Sequence, residues 1–194
     1  VSIKRRKREF RKAALAYLCS RGGVRARVKD RKITNMLDEL IDRRRPGTVM
    51  LYLPMGMEVD VRPLIRRLRR RGVTVLVPFM EGESFRLVKY RLPLQKKRFG
   101  IYEPKFSKQY RPKVIDIAIV PIVGTDPTGR RVGFGKGMYD RFFEKEKHNI
   151  REILFVQRHL CYSPHVVTDR YDIQADVLIG GRGSAFVGDF PHCR

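Results

Sequence analysis

What this chain of 194 residues has little of narrows the field first. Its three cysteines, Cys19, Cys161 and Cys193, are scattered and odd in number. They match no metal-binding spacing and no disulfide framework, which points to a reducing, cytoplasmic setting. No apolar run approaches the roughly 20 residues that span a bilayer, so no membrane association is expected. Leu15-Ala-Tyr-Leu-Cys19 is too short for the hydrophobic segment of a secretory leader, so none is expected. Internal repeats, low-complexity tracts and a second domain are not evident. Carboxylates are scarce: 20 Asp and Glu face 43 Lys and Arg, leaving a formal net charge of +23. Such a balance suits nucleic acid or a polyanionic small molecule. The cations are dispersed over residues 4–12, 43–45, 66–71 and 96–98, as solvated faces of a basic protein would be. No nucleic-acid-binding module is recognisable, so nucleic acid is the disfavoured partner.

What is present reads as one α/β domain. Hydrophobic residues make up 42% of the chain, enough for a substantial core. Helical periodicity predicts helices over residues 3–19, 29–44 and 61–71. Near-continuous apolar runs at 48–53, 73–77, 115–123 and 151–156 suit buried strands, and 84–90 alternates as a more exposed one. A short apolar run at 177–179 is read as the last strand. The β-α-β alternation predicts a mostly parallel sheet with right-handed crossovers. Residues 1–180 are expected to form the single domain, and 181–194 a loose C-terminal tail.

Residues 130–141, Arg-Arg-Val-Gly-Phe-Gly-Lys-Gly-Met-Tyr-Asp-Arg, carry the densest chemistry. Gly133, Gly135 and Gly137 alternate around Lys136 between a predicted strand and a predicted helix. Such a turn lets backbone N–H groups approach an anion, and a helix N-terminus adds a favourable dipole. It is not a Walker A loop, because Gly137 and not Ser or Thr follows Lys136. Nor is it the dinucleotide fingerprint, because the third glycine comes one residue early. On these residues alone, a phosphate cradle and a flexible surface loop both stand. Glu58 and Asp60 follow a loop at the end of the 48–53 strand, where ligands bind in open α/β sheets.

Four segments, taken in order, resemble the 5-formyltetrahydrofolate cyclo-ligase family over roughly residues 4–179. Arg131-Val-Gly-Phe-Gly-Lys-Gly-Met-Tyr-Asp140 is similar to the family's R-L-G-x-G-x-G-[YF]-Y-D. Lys7-Arg-Glu-Phe-Arg11 is similar to its K-x-x-[LI]-R, Leu53-Pro-Met-Gly-Met-Glu-Val-Asp60 to its segment with E-[VI]-D, and Phe99-Gly-Ile-Tyr-Glu-Pro104 to its G-I-x-E-P. Met138 departs from the usual aromatic residue, which alters how a pterin or adenine ring is held.

The resemblance implies a three-layer α/β fold similar to the sugar-isomerase and CoA-transferase group. It also implies Mg-ATP-dependent closure of 5-formyltetrahydrofolate to 5,10-methenyltetrahydrofolate, in a monomer. By the same resemblance, ATP is expected at Lys7, Arg8, Glu9, Phe10 and Arg11 and at Arg131, Val132, Gly133, Phe134, Gly135, Lys136, Gly137, Met138 and Tyr139. The folate is expected at Leu53, Met57, Glu58, Phe99 and Tyr102 and along Phe134, Gly135, Lys136, Gly137 and Met138. Arg131, Lys136 and Tyr139 are the expected catalytic residues, with Tyr139 stacking on the pterin or bonding a phosphate. Asp140 and Asp172 are the expected Mg2+ ligands, carboxylate oxygen suiting a hard cation. The alternatives are a basic nucleic-acid-binding protein and another ATP-dependent enzyme on the same scaffold.

Overall fold

Apolar side chains alternate between two faces along the parallel strands, and this alternation sets up the layers. The computed structural model describes residues 2–97, 100, 102–105, 108–180 and 183–186. Among them, the first half of the chain forms α1 (Ile3–Cys19), α2 (Val24–Arg44), β1 (Thr48–Met50), α3 (Arg62–Arg70), β2 (Thr74–Glu81), β3 (Ser84–Lys89), β4 (Leu94–Lys96) and β5 (Tyr102–Pro104). The second half forms β6 (Ile115–Pro121), β7 (Gly124–Thr125), β8 (Arg131–Val132), α4 (Met138–Glu146), β9 (Ile150–Gln157), β10 (Val177–Gly180) and β11 (Gly183–Phe186). The main sheet has seven strands in the order β11-β10-β9-β6-β1-β2-β3. Its five inner strands are parallel, while β3 and β11 close the two edges antiparallel.

Val49, Val75, Val77, Ile117, Ile119, Leu154, Val156, Val177 and Ile179 face α2 and α3, meeting Ile33, Leu37, Ile41, Leu64, Ile65 and Leu68. Their neighbours Met50, Leu76, Ala118, Val120, Ile153, Phe155 and Leu178 face the other way, against Phe142 and Phe143 of α4. The expected three-layer α/β domain is therefore the one observed. The first helix packs separately, with Ala14 and Leu18 against Val123 and Cys161 just past the C-terminal ends of β6 and β9. No described helix is long and apolar enough to cross a membrane.

Four boundaries differ from expectation by three residues or more, each for a local reason. The second helix starts at Val24, five residues before the expected Lys29, because Ala26 and Asp30 fall on its buried face one turn apart. The β1 strand ends at Met50, after which Leu51 N–H donates to Leu76 O at 2.9 Å and the chain turns away. The β2 strand runs on to Glu81 through Pro78. Pro78 lacks an N–H, but by strand parity its nitrogen faces the side that β1 has already left. Met80 N–H on that same side donates to Glu103 Oε1 at 2.9 Å. Finally, Gly183–Phe186 pairs with β10 as an edge strand, where a loose tail is expected.

Gly124 is the point at which α1 meets the sheet. A Cβ there would lie 2.6 Å from Phe10 and 2.8 Å from the Cys161 carbonyl oxygen. Gly124→Ala should therefore force α1 outward and cost about 1–3 kcal/mol. Urea unfolding should show the lower midpoint, and amide exchange should speed up in α1. An unchanged midpoint with unchanged exchange would mean that α1 does not depend on this contact.

Candidate active site

The glycine loop is held open by constraints that differ at each glycine. Gly135 and Gly137 have φ of +96° and +64°, a region that side chains rarely adopt. Gly133 is needed for space, because a Cβ there would run into the Arg131 guanidinium. Arg131 is buried, donates Nε–H to Pro121 O at 3.0 Å and lies 4.7 Å from the Tyr139 ring centroid. Burial lowers its pKa, and Asp140, Tyr139 and Glu58 oppose that shift. Two further arginines pin the loop: Arg11 donates to Gly133 O at 2.7 Å, and Arg141 bridges Lys136 O at 2.6 Å and Glu83 O at 2.8 Å.

The loop is the common wall of two cavities. One, of about 270 Å³, has apolar walls from Leu53, Met55, Pro78, Met80, Phe134 and Met138. Glu58, Arg131, Lys136 and Tyr139 supply its polar groups. The other, of about 390 Å³, is basic, with Lys4, Lys7, Arg8 and Arg11 facing Gly133, Gly135, Asp140 and Asp172. Gly137 lines both. An apolar, carboxylate-bearing slot thus adjoins a cationic cleft across one turn of backbone.

Glu58 lines the apolar cavity and is buried. Burial pushes its pKa up to about 7, against the lowering effects of the Met55 N–H, Arg131 and Arg158. The Met55 N–H donates to its Oε2 at 2.7 Å, so the loop it ends also aims it. Tyr139 is held protonated, its pKa raised by burial and by Glu58, so its hydroxyl can donate at neutral pH.

Several expected site residues lie elsewhere or are already engaged. Lys7 and Asp172, expected on phosphate and metal respectively, pair with each other at 2.5 Å. The Lys7 ammonium also stands 5.3 Å from the Tyr171 ring centroid. Glu9 is exposed and pairs with Arg5 at 2.8 Å, away from the cleft. Phe10 packs among Ala14, Leu18 and Val123, and Val132 is buried in β8. Met57 packs against that same α1 cluster, whereas its neighbour Met55 lines the apolar cavity. Tyr102 is exposed and lines a third cavity that meets the first at Met55 and Glu58. Phe99 lies outside the described residues. The sequence reading missed Arg158, which is buried against the Glu58 loop, and the stapling role of Arg141. A polar residue just past the C-terminal end of a central strand was the available signal for Arg158.

Among the described residues, no three His, Cys, Asp or Glu side chains gather as a ready-made metal cage. The donor set still fits a nucleotide-borne Mg2+, which usually takes one or two carboxylates with phosphate oxygens. Among the described residues, buried Asp140 Oδ1 has no hydrogen-bond partner, as an oxygen suited to a cation would be.

Comparison with known proteins bears on this arrangement. A model of the 5-formyltetrahydrofolate cyclo-ligase family matches residues 3–176. The 5-formyltetrahydrofolate cyclo-ligase of Haemophilus influenzae is 26% identical over 163 residues, covering 78% of this chain and 85% of that one. Its Escherichia coli counterpart is 35% identical over 108 residues, 52% of this chain and 59% of that one. The solved structure of Aquifex aeolicus 5,10-methenyltetrahydrofolate synthetase matches with a TM-score of 0.79 and 28% identity, covering 97% of this chain and 96% of that one.

The raised pKa of Glu58 makes a prediction that needs no ligand. Its contribution to stability is complete below its ordinary value of 4.5 and is lost as pH rises through about 7. Glu58→Gln should therefore stabilise the fold at pH 8 by about 1–3 kcal/mol and much less at pH 5. Urea unfolding at the two pH values checks this. An equal effect at both would show that Glu58 ionises normally.

Proposed function

Because this chain belongs to the 5-formyltetrahydrofolate cyclo-ligase family, we propose that its two cavities hold that reaction's two substrates. The reaction closes 5-formyltetrahydrofolate to 5,10-methenyltetrahydrofolate at the expense of ATP. The apolar cavity takes the pterin, with Glu58 accepting from the amino-pyrimidine N–H groups as a charged, paired acceptor. The basic cleft takes the triphosphate, with Arg8, Arg11 and the loop amides around it. The observation that carries this reading is the shared wall at Gly137.

An N-formyl oxygen is a poor leaving group, and transfer of the γ-phosphoryl group makes it a good one. The formyl oxygen forms a bond to the γ-phosphorus as the bond to ADP breaks. N10 then bonds to the activated carbon and loses its proton, and inorganic phosphate departs with the former formyl oxygen. Arg131 and Lys136 stand on the folate side of the loop, where their charge counters that of the transferring group. Tyr139 donates from its neutral hydroxyl and holds the Arg131 guanidinium against its ring. Asp140 is the better-placed Mg2+ ligand, because Asp172 already answers Lys7. A bound Mg2+ supplies neutralisation of the phosphate charge; positioning is the chain's own task.

The direct test is the absorbance of the methenyl product from 5-formyltetrahydrofolate with and without Mg-ATP. Product should form only with Mg-ATP, and its absence under both conditions would contradict the assignment. Within the site, Gly135→Val should cut turnover at least ~100-fold, since a misplaced cradle misplaces the phosphate. A β-branched side chain at φ +96°, with the Arg11 guanidinium 3.4 Å from the Cβ position, has no relaxed arrangement. Thermal melts should show the variant folded but no longer stabilised by ATP. Normal turnover with normal ATP stabilisation would remove the loop from the phosphate site.

A further inference from the structure

Glu58 is one end of a buried polar relay that reaches across the fold to α2. Arg158, directly after β9, is buried, as is Asp30 of α2. The two meet in a bidentate pair, Nε to Oδ1 at 2.7 Å and Nη2 to Oδ2 at 2.9 Å. The same guanidinium reaches the loop from below, donating to Met57 O at 3.3 Å and Glu58 O at 2.5 Å. One planar group therefore spans a carboxylate and two consecutive backbone carbonyls. Lysine cannot reproduce this, because its ammonium has no fork. The loop has other anchors, among them Tyr52 Oη donating to Val59 O at 2.9 Å, Met55 N–H donating to Glu58 Oε2 at 2.7 Å and Glu58 N–H donating to Met55 O at 3.0 Å. None of these fixes the carbonyls of residues 57 and 58.

We propose that Arg158, locked by Asp30, is a positioning residue that sets the Glu58 carboxylate for the folate ring. The inference rests on the assignment of Glu58 to that ring. Arg158 acts through geometry, by fixing the two peptide groups that precede and follow the Glu58 Cα. It also acts through charge, because it and Arg131 are the cations that favour ionised Glu58. The other ionisable groups around this carboxylate are Tyr52, Tyr139 and Lys136, which line the same cavity, Arg27, Asp60, Arg62, Lys96 and Tyr102, which line the third cavity with it, and Asp30 behind Arg158. With Asp30 taking two of its N–H groups, the donors left over on Nη1 and Nη2 reach the loop.

The test is a double-mutant cycle on the full chain, read separately for each substrate. Arg158→Lys keeps the charge and loses the fork. It should raise KM for 5-formyltetrahydrofolate about tenfold, the loss of one charge-assisted contact, with KM for ATP within twofold. In a Glu58→Gln background the same substitution should change the folate KM less than about twofold, because the group it positions is gone. The paired variant Asp30→Asn with Arg158→Gln leaves no orphaned buried charge and serves if Arg158→Lys does not fold. It should also move the acidic limb of kcat/KM for the folate to higher pH, because Glu58 loses a supporting cation. Parallel rises in both KM values, or equal effects of Arg158→Lys with and without Glu58, would make Arg158 a structural residue and overturn the inference. If Glu58→Gln alone left the folate KM unchanged, the assignment of Glu58 would fail, and this inference with it. If Glu58→Gln weakened the folate while Arg158→Lys did not, only the inference on Arg158 would fall.

Discussion

A single buried cation, Arg131, constrains most of the site. It is taken out of water, so its guanidinium must be answered on every side. Pro121 O accepts from it, the Tyr139 ring lies against it, and Glu58 and Asp140 approach it from the two cavities. Gly133 must be glycine because the guanidinium occupies the space of a Cβ. The course of the loop follows from that clearance, and the loop's course places Gly137 in both cavities. A side chain required for charge thus dictates a backbone required for shape.

The site also carries its own opposition to stability. Glu58 is buried far enough to be half-protonated near neutrality, which an isolated core would avoid by using an apolar residue. The fold contains that strain by tying the loop from three directions, through Tyr52, Met55 and Arg158. Lys7 and Asp172 show the same logic in the basic cleft, each neutralising the other beside Lys4, Arg8 and Arg11. A polyanion entering there meets a cleft whose most buried lysine is already satisfied. The flanking Lys4, Arg8 and Arg11 are then the cations at its rim.

Much of the fold was legible because it depends on local periodicity. The first helix runs from Ile3 to Cys19, the limits its apolar spacing predicts, and the five inner strands lie on the apolar runs. Strand lengths were less legible: β1 stops at Met50 while both its neighbours run on, and β2 continues through Pro78 to its hairpin with β3. The glycine loop stood out by composition, but the separate reasons for its glycines did not. Gly133 answers to a side chain and Gly135 to its own φ, a difference visible only in three dimensions. Contacts between distant residues were not legible at all. Lys7 and Asp172 are 165 residues apart, and Asp30 and Arg158 are 128 apart. Nothing in either local pattern pairs them, and in so basic a chain one more arginine draws no notice.

The proposed chemistry has the glycine loop bring the formyl oxygen and the γ-phosphate together, so that the phosphoryl group is transferred directly onto that oxygen. The most direct measurement follows the oxygen itself. The folate would be labelled with oxygen-18 in its formyl group and turned over once with Mg-ATP, and the inorganic phosphate analysed by mass. Direct transfer predicts that the released phosphate carries the label in full. Unlabelled phosphate, with the heavy oxygen recovered in water or ADP, would mean that the two groups never meet across this loop.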